Sequence, residues 1–80
     1  MIHQILNDGE YEFHGTIEDF KKCISSFKVT NITCDGECCG IHLLECDGYF
    51  KYHQQHHHLH VSKHWGNEDI LYIKYLGATN

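Results

Sequence analysis

One stretch of this chain carries a helical period while most of the rest alternates or is β-branched, and that contrast narrows the fold more than any other feature. Ile17, Phe20, Ile24 and Phe27 recur at spacings of three, four and three, which lines one apolar stripe along a helix. Thr16 followed by Asp19 forms a capping box, with Asp in place of the longer Glu or Gln. Glu18 and Asp19 also put negative charge in the first turn, where the helix dipole favours it. The expected helix runs from Ile17 to about Ser26 and packs on a sheet, with Cys23 beside the stripe.

The remaining segments read as strands and turns. Ile2 to Leu6 is a short apolar segment taken as a first strand, and Asn7-Asp8-Gly9 supplies turn chemistry. Glu10 to His14 alternates strictly, with Tyr11 and Phe13 on one side and Glu10, Glu12 and His14 on a wet one. Val29 to Cys34 is rich in β-branched residues, and Asp35 to Gly40 reads as a loop. Asp47-Gly48 lies between Ile41–Cys46 and Tyr49–Gln54 as a two-residue hairpin signal. A type I′ turn there sets Cys46 opposite Tyr49, Glu45 opposite Phe50, Leu44 opposite Lys51, Leu43 opposite Tyr52, and His42 opposite His53. Leu59 and Val61 fit a strand facing the core, with His58 and His60 facing away. Gly66-Asn67 is a turn, and Ile70 to Leu76, apolar on both sides, belongs inside the sheet. The expected fold class is α+β, a single domain over residues 1–80 with one amphipathic helix on a mainly antiparallel sheet of about five to six strands, in the order β-β-α-β-β-β-(β)-β.

Eighty residues make one modest core. A domain of this size buries roughly 60% of the surface its unfolded chain exposes, which leaves little interior for a deep substrate cavity. The start of the chain, Met1 to Asp8, has neither the basic region nor the apolar stretch of a secretory signal, and no apolar run is long enough to cross a bilayer. The expected location is cytoplasmic. Five cysteines, an odd number with Cys38 and Cys39 adjacent, are then thiols, with Cys23 and Cys46 read as small buried hydrophobes. The formal charge is −5 and no arginine is present. That balance argues against direct nucleic-acid contact and towards basic protein partners.

Nine histidines, six of them between His53 and His64, are the outstanding bias of composition. Imidazole is a common ligand for zinc and its neighbours, so His42, His53, His58 and His60, with Cys34 and Cys38, form a candidate zinc set. On a strand His56, His58 and His60 form a row. The contrary reading is a solvated strand face that uses histidine, with no cofactor. Full protonation of the nine would carry the formal charge from −5 to +4, so mild acid should lower solubility as net charge passes through zero. Cys38 or Cys39 beside His42 has no surrounding catalytic signature, and the sequence holds no phosphate loop, GxSxG or HExxH. The chain is read as not an enzyme.

The acidic residues supply the binding candidates. Glu10 and Glu12 share the wet strand face, Glu18 and Asp19 open the helix, and Asp35 and Glu37 sit in the expected loop. Tyr11, Tyr49, Tyr72, Tyr75 and Trp65 are the aromatic anchors an interface would recruit, with Trp65 in the turn-like His64–Asn67 segment. Small size, acidic balance and absent catalytic motifs together resemble the profile of small phage or mobile-element inhibitors of host defence, including anti-CRISPR proteins. The resemblance lies in size and charge, and it implies a non-enzymatic inhibitor that occludes a basic, nucleic-acid-handling protein. Pairing of the chain with itself is compatible with the same reading.

Overall fold

The computed structural model describes residues 1–38, 41–63 and 69–80; at 35, 37, 38, 41 and 42 it describes the backbone alone. The elements run α1 (Ile2–Asp8), β1 (Glu10–His14), α2 (Ile17–Cys23), β2 (Lys28–Cys38), β3 (Ile41–Tyr52), β4 (Gln55–Lys63) and β5 (Ile70–Thr79). Five strands form one antiparallel sheet in the order β1-β5-β4-β3-β2. Strands β2 to β5 are a meander, and β1 closes it by lying beside β5. As β1 and β2 occupy opposite edges, α2 carries the chain across one face of the sheet.

That crossing builds the core. Phe20 of α2 packs edge-on between Phe13 and Phe27, with ring centroids 5.3 and 5.1 Å away. Around this triad the sheet contributes Leu44, Cys46, Phe50, Leu59, Val61, Leu71 and Ile73, all buried. The α+β class therefore holds, with two short helices in place of one. Ile5 of α1 is fully buried against the same core.

Several expectations need correcting. Ile2–Leu6 is the body of a helix: Ile2, Ile5 and Leu6 share one helical face, and Asn7-Asp8-Gly9 ends it with Gly9 as a left-handed C-cap at φ 77°. No first hairpin forms, and Glu10–His14 pairs with β5 instead. Helix α2 carries both halves of the Thr16–Asp19 capping box but stops at Cys23. Ile24 and Phe27 continue the apolar stripe beyond its end and are still buried. Cys23 is exposed, whereas Cys46 is buried as expected.

The largest revision concerns Asp47-Gly48, which makes no turn. Strand β3 runs straight through it, and the chain reverses at His53-Gln54, both with positive φ (49° and 66°). Gly48 is needed inside the strand because the Phe27 ring lies against its Cα: a Cβ there would stand 2.6 Å from that ring and from the Lys28 carbonyl. Packing thus overrides the local preference of Asp-Gly for a tight turn. The register shifts accordingly. Tyr49 pairs with His58, Phe50 with His57, and His42 with Glu37, so His42 and His53 are not partners. The expected loop at Asp35–Gly40 is strand as far as Cys38, and residues 39 and 40 lie outside the described part, as does the Gly66-Asn67 turn. Ile70–Leu76 is internal, between β1 and β4.

Candidate functional site: the open face of the sheet

Both helices pack on one face of the sheet, and the alternation of each strand aims a second set of side chains at the other. Two rows of directly paired residues cross that open face from edge to edge. The first reads Glu12, Tyr72, Ser62, Glu45, Cys34, and the second reads Glu10, Lys74, His60, Asp47, Asn31. Glu12 and Glu10 sit on β1, the lysine and tyrosine on β5, and the histidine and serine on β4.

His60 is the centre of the arrangement. Its Nδ1 lies 2.7 Å from Asp47 Oδ1 and its Nε2 3.2 Å from Glu45 Oε1. Asp47 faces it directly across the β3–β4 pairing, and Glu45 reaches it on the diagonal. A ring that donates from both nitrogens is an imidazolium; a neutral ring donates to one carboxylate and turns a lone pair towards the other. The side chains of all three are partly exposed, at 30% for His60, 49% for Glu45 and 40% for Asp47. Solvent therefore keeps each pair within about 1 kcal/mol.

A groove of about 400 Å³ runs over this part of the face, lined by Cys34, Leu43, Leu44, Glu45, His60, Ser62, Lys63 and Tyr72. A second hollow of about 230 Å³ on the β1 side shares His60, Ser62 and Tyr72 with it and adds Glu10 and Lys74. Among the described residues the exposed large apolar side chains are Ile32 on β2 and Tyr72 and Leu76 on β5, and of these Tyr72 belongs to the first row. Further along, Tyr49 stands between His56 and His58, with ring centroids 5.0 and 6.0 Å away. His58 Nε2 also lies 3.0 Å from Thr79 Oγ1.

The expected binding residues divide between the two sides of the molecule. Glu10 and Glu12 lie on the open face, Glu12 beside His14 at 3.2 Å. Glu18 and Asp19 lie on α2, over the opposite face, where Asp19 Oδ2 accepts from the Thr16 backbone amide at 3.0 Å. That hydrogen bond, with one from the Thr16 side chain and a lesser pull from Lys22, holds the Asp19 carboxyl below its ordinary 3.8. Asp35 and Glu37 are placed only as backbone, near the far end of the edge strand β2. Trp65 lies outside the described residues.

The six candidate zinc ligands are spread along the sheet. His53 occupies the β3–β4 turn, His42 and Cys38 pair with Glu37 and Ile41 at the opposite end of β3, and His58, His60 and Cys34 have the neighbours given above. Among the described residues no group of three His, Cys, Asp or Glu side chains is arranged to hold a metal ion. The row expected for His56, His58 and His60 does form on the open face, with aromatic and carboxylate neighbours. His57, on the core face, was not anticipated. Only 6% exposed, it stacks on Phe50, with Nδ1 2.9 Å from the Tyr75 hydroxyl and Nε2 3.2 Å from the Tyr52 carbonyl. Its place on the same side as Leu59 and Val61 in the period of two was the signal available in the sequence. Glu45 and Asp47 were also missed, because the false turn at Asp47-Gly48 took Asp47 out of the sheet and set Glu45 opposite Phe50 instead of Ser62.

Among the described residues no helix is long and apolar enough to cross a membrane. Comparison with protein-family models, with curated proteins and with solved structures gives no match.

Proposed function

We propose that this protein is a non-enzymatic binding module that acts by laying the open face of its sheet on a basic, nucleic-acid-handling protein and occluding it. The observation that supports this reading is the pair of cross-strand rows on a face that neither helix covers. They present carboxylates (Glu10, Glu12, Glu45, Asp47) around an exposed tyrosine. Antiparallel sheets with one covered face commonly solvate the other, and this one also carries the exposed ring of Tyr72. Aromatic anchors within a polar surround are the usual composition of a protein interface. Carboxylates at the centre of the face make it repellent to phosphate, so a protein surface is the better fit than a nucleic acid. Inhibition by occupancy, as in the small phage-encoded inhibitors of host defence that the size and charge resemble, requires no catalytic group.

The test is capture of partners from the native host at physiological salt, with two variants in parallel. Tyr72→Lys with Glu45→Lys alters the open face, and Glu18→Lys with Asp19→Asn alters the helix side. The same captured protein should be lost with the first variant and kept with the second. Loss with the second alone, or capture indifferent to both, would remove the open-face reading.

A further inference from the structure

Resting on the open-face reading, we infer that the hollow over Ser62, between Glu45 and Tyr72, receives an arginine side chain of the partner protein. Ser62 is the smallest member of its row, flanked directly by Glu45 on β3 and Tyr72 on β5. Those two strands lie on either side of β4, so about 10 Å separates their backbones. A small residue between two long ones leaves a dip, and all three side chains line the groove.

The chemistry of the walls selects a planar cation. A carboxylate offers about four acceptor sites, and His60 engages Glu45 through Oε1. A guanidinium can bond a carboxylate with two parallel N–H groups and lie against an aromatic ring, whereas an ammonium is a compact point charge. Tyr72, 43% exposed, supplies such a ring on the opposite wall. The row itself, Glu12, Tyr72, Ser62, Glu45 and Cys34, contains no cation. Lys63 lines the same groove, but its ammonium reaches Asp69 at 3.3 Å. Lys74 stands in the neighbouring row, between Glu10 and His60. The chain has no arginine of its own, so the guanidinium must come from another molecule.

A short capped Gly/Ser peptide with one arginine, titrated into isotope-labelled protein, tests this directly. Saturable amide shifts should centre on Glu45, Ser62 and Tyr72. Glu45→Gln should weaken binding about tenfold, as loss of a charge-assisted hydrogen bond does, and Tyr72→Leu about threefold through the lost ring. Ser62→Gln, which fills the hollow and leaves the charge unchanged, should abolish binding, and Glu18→Gln should leave it intact. The lysine peptide should bind more weakly and the glutamine peptide not at all. Equal binding of the glutamine peptide, or full retention in both Glu45→Gln and Ser62→Gln, overturns the assignment. If the peptide is silent while partner capture still depends on the open face, the arginine site fails and the broader reading stands. If the peptide binds while capture ignores that face, the broader reading fails alone.

Discussion

The ring of Phe27 lies on the backbone of Gly48, with no room for a methyl group between them. This contact joins the chain leaving α2 to the middle of β3, and it explains why a glycine interrupts a twelve-residue strand. Gly48→Ala should destabilise the protein by about 2 kcal/mol, the usual range for forcing an extra methyl into a packed core. Chemical denaturation of the variant checks this. A midpoint equal to that of the parent would mean that Phe27 moves aside freely, against the packing described here.

The same contact shows why part of the fold was legible in the sequence and part was not. The capping box at Thr16 and the alternation of Glu10–His14 are local patterns that appear as read. The stripe from Ile17 to Phe27 is buried at Phe20, Ile24 and Phe27, although the helix carries it only to Cys23. Asp47-Gly48 carries an equally clear local pattern that a distant ring overrules. Once that turn was misplaced, the β3–β4 register could not be recovered, and His60 could not be matched with Asp47. Ile2–Leu6 failed for another reason: in five residues, apolar positions at 2, 5 and 6 suit a helix or a strand, and only the left-handed Gly9 decides between them. The histidine tract was conspicuous by composition, and alternation with Leu59 and Val61 divides it into core-side His57 and open-face His56, His58 and His60. What depended on the register was the partner each one meets, Phe50 for His57 and Asp47 for His60.

The true reversal at His53-Gln54 places two non-glycine residues at positive φ. Such a backbone costs roughly 1–2 kcal/mol per residue for ordinary side chains. Asn-Gly is the preferred pair for a two-residue hairpin of this kind. Replacing His53→Asn and Gln54→Gly together should therefore raise stability by about 1 kcal/mol, or roughly 4–8 °C in melting temperature. A lower melting temperature would show that the two side chains contribute more than their backbone strain costs.

His57 is buried with both ring nitrogens engaged. The Tyr52 carbonyl can only accept, so Nε2 carries the hydrogen there; in the neutral ring Nδ1 then accepts from the Tyr75 hydroxyl. Tyr75→Phe removes that donor and should cost about 1–3 kcal/mol. In a double-mutant cycle with His57→Phe, the two losses should fall short of additive by about 1 kcal/mol. Strict additivity would mean that the pair is a contact without coupling.

Asp19 links stability to pH through the capping box. Hydrogen bonds from Thr16 depress its carboxyl in the folded state below the ordinary 3.8, so folding favours the ionised form. The stabilisation is complete above the unfolded value and is lost as pH falls through the folded one. Asp19→Asn should accordingly unfold at lower denaturant than the parent at neutral pH. The difference should narrow as pH drops below 3.8 and vanish once the parent carboxyl is protonated in both states. Denaturation midpoints for both proteins from pH 7 to pH 2 give the comparison, with Thr16→Ala, which removes the cap itself, expected to cost about 1 kcal/mol at neutral pH. A gap between Asp19→Asn and parent that stays constant over that whole range would place the effect in lost packing, and the charged capping box would then not be what holds the start of α2.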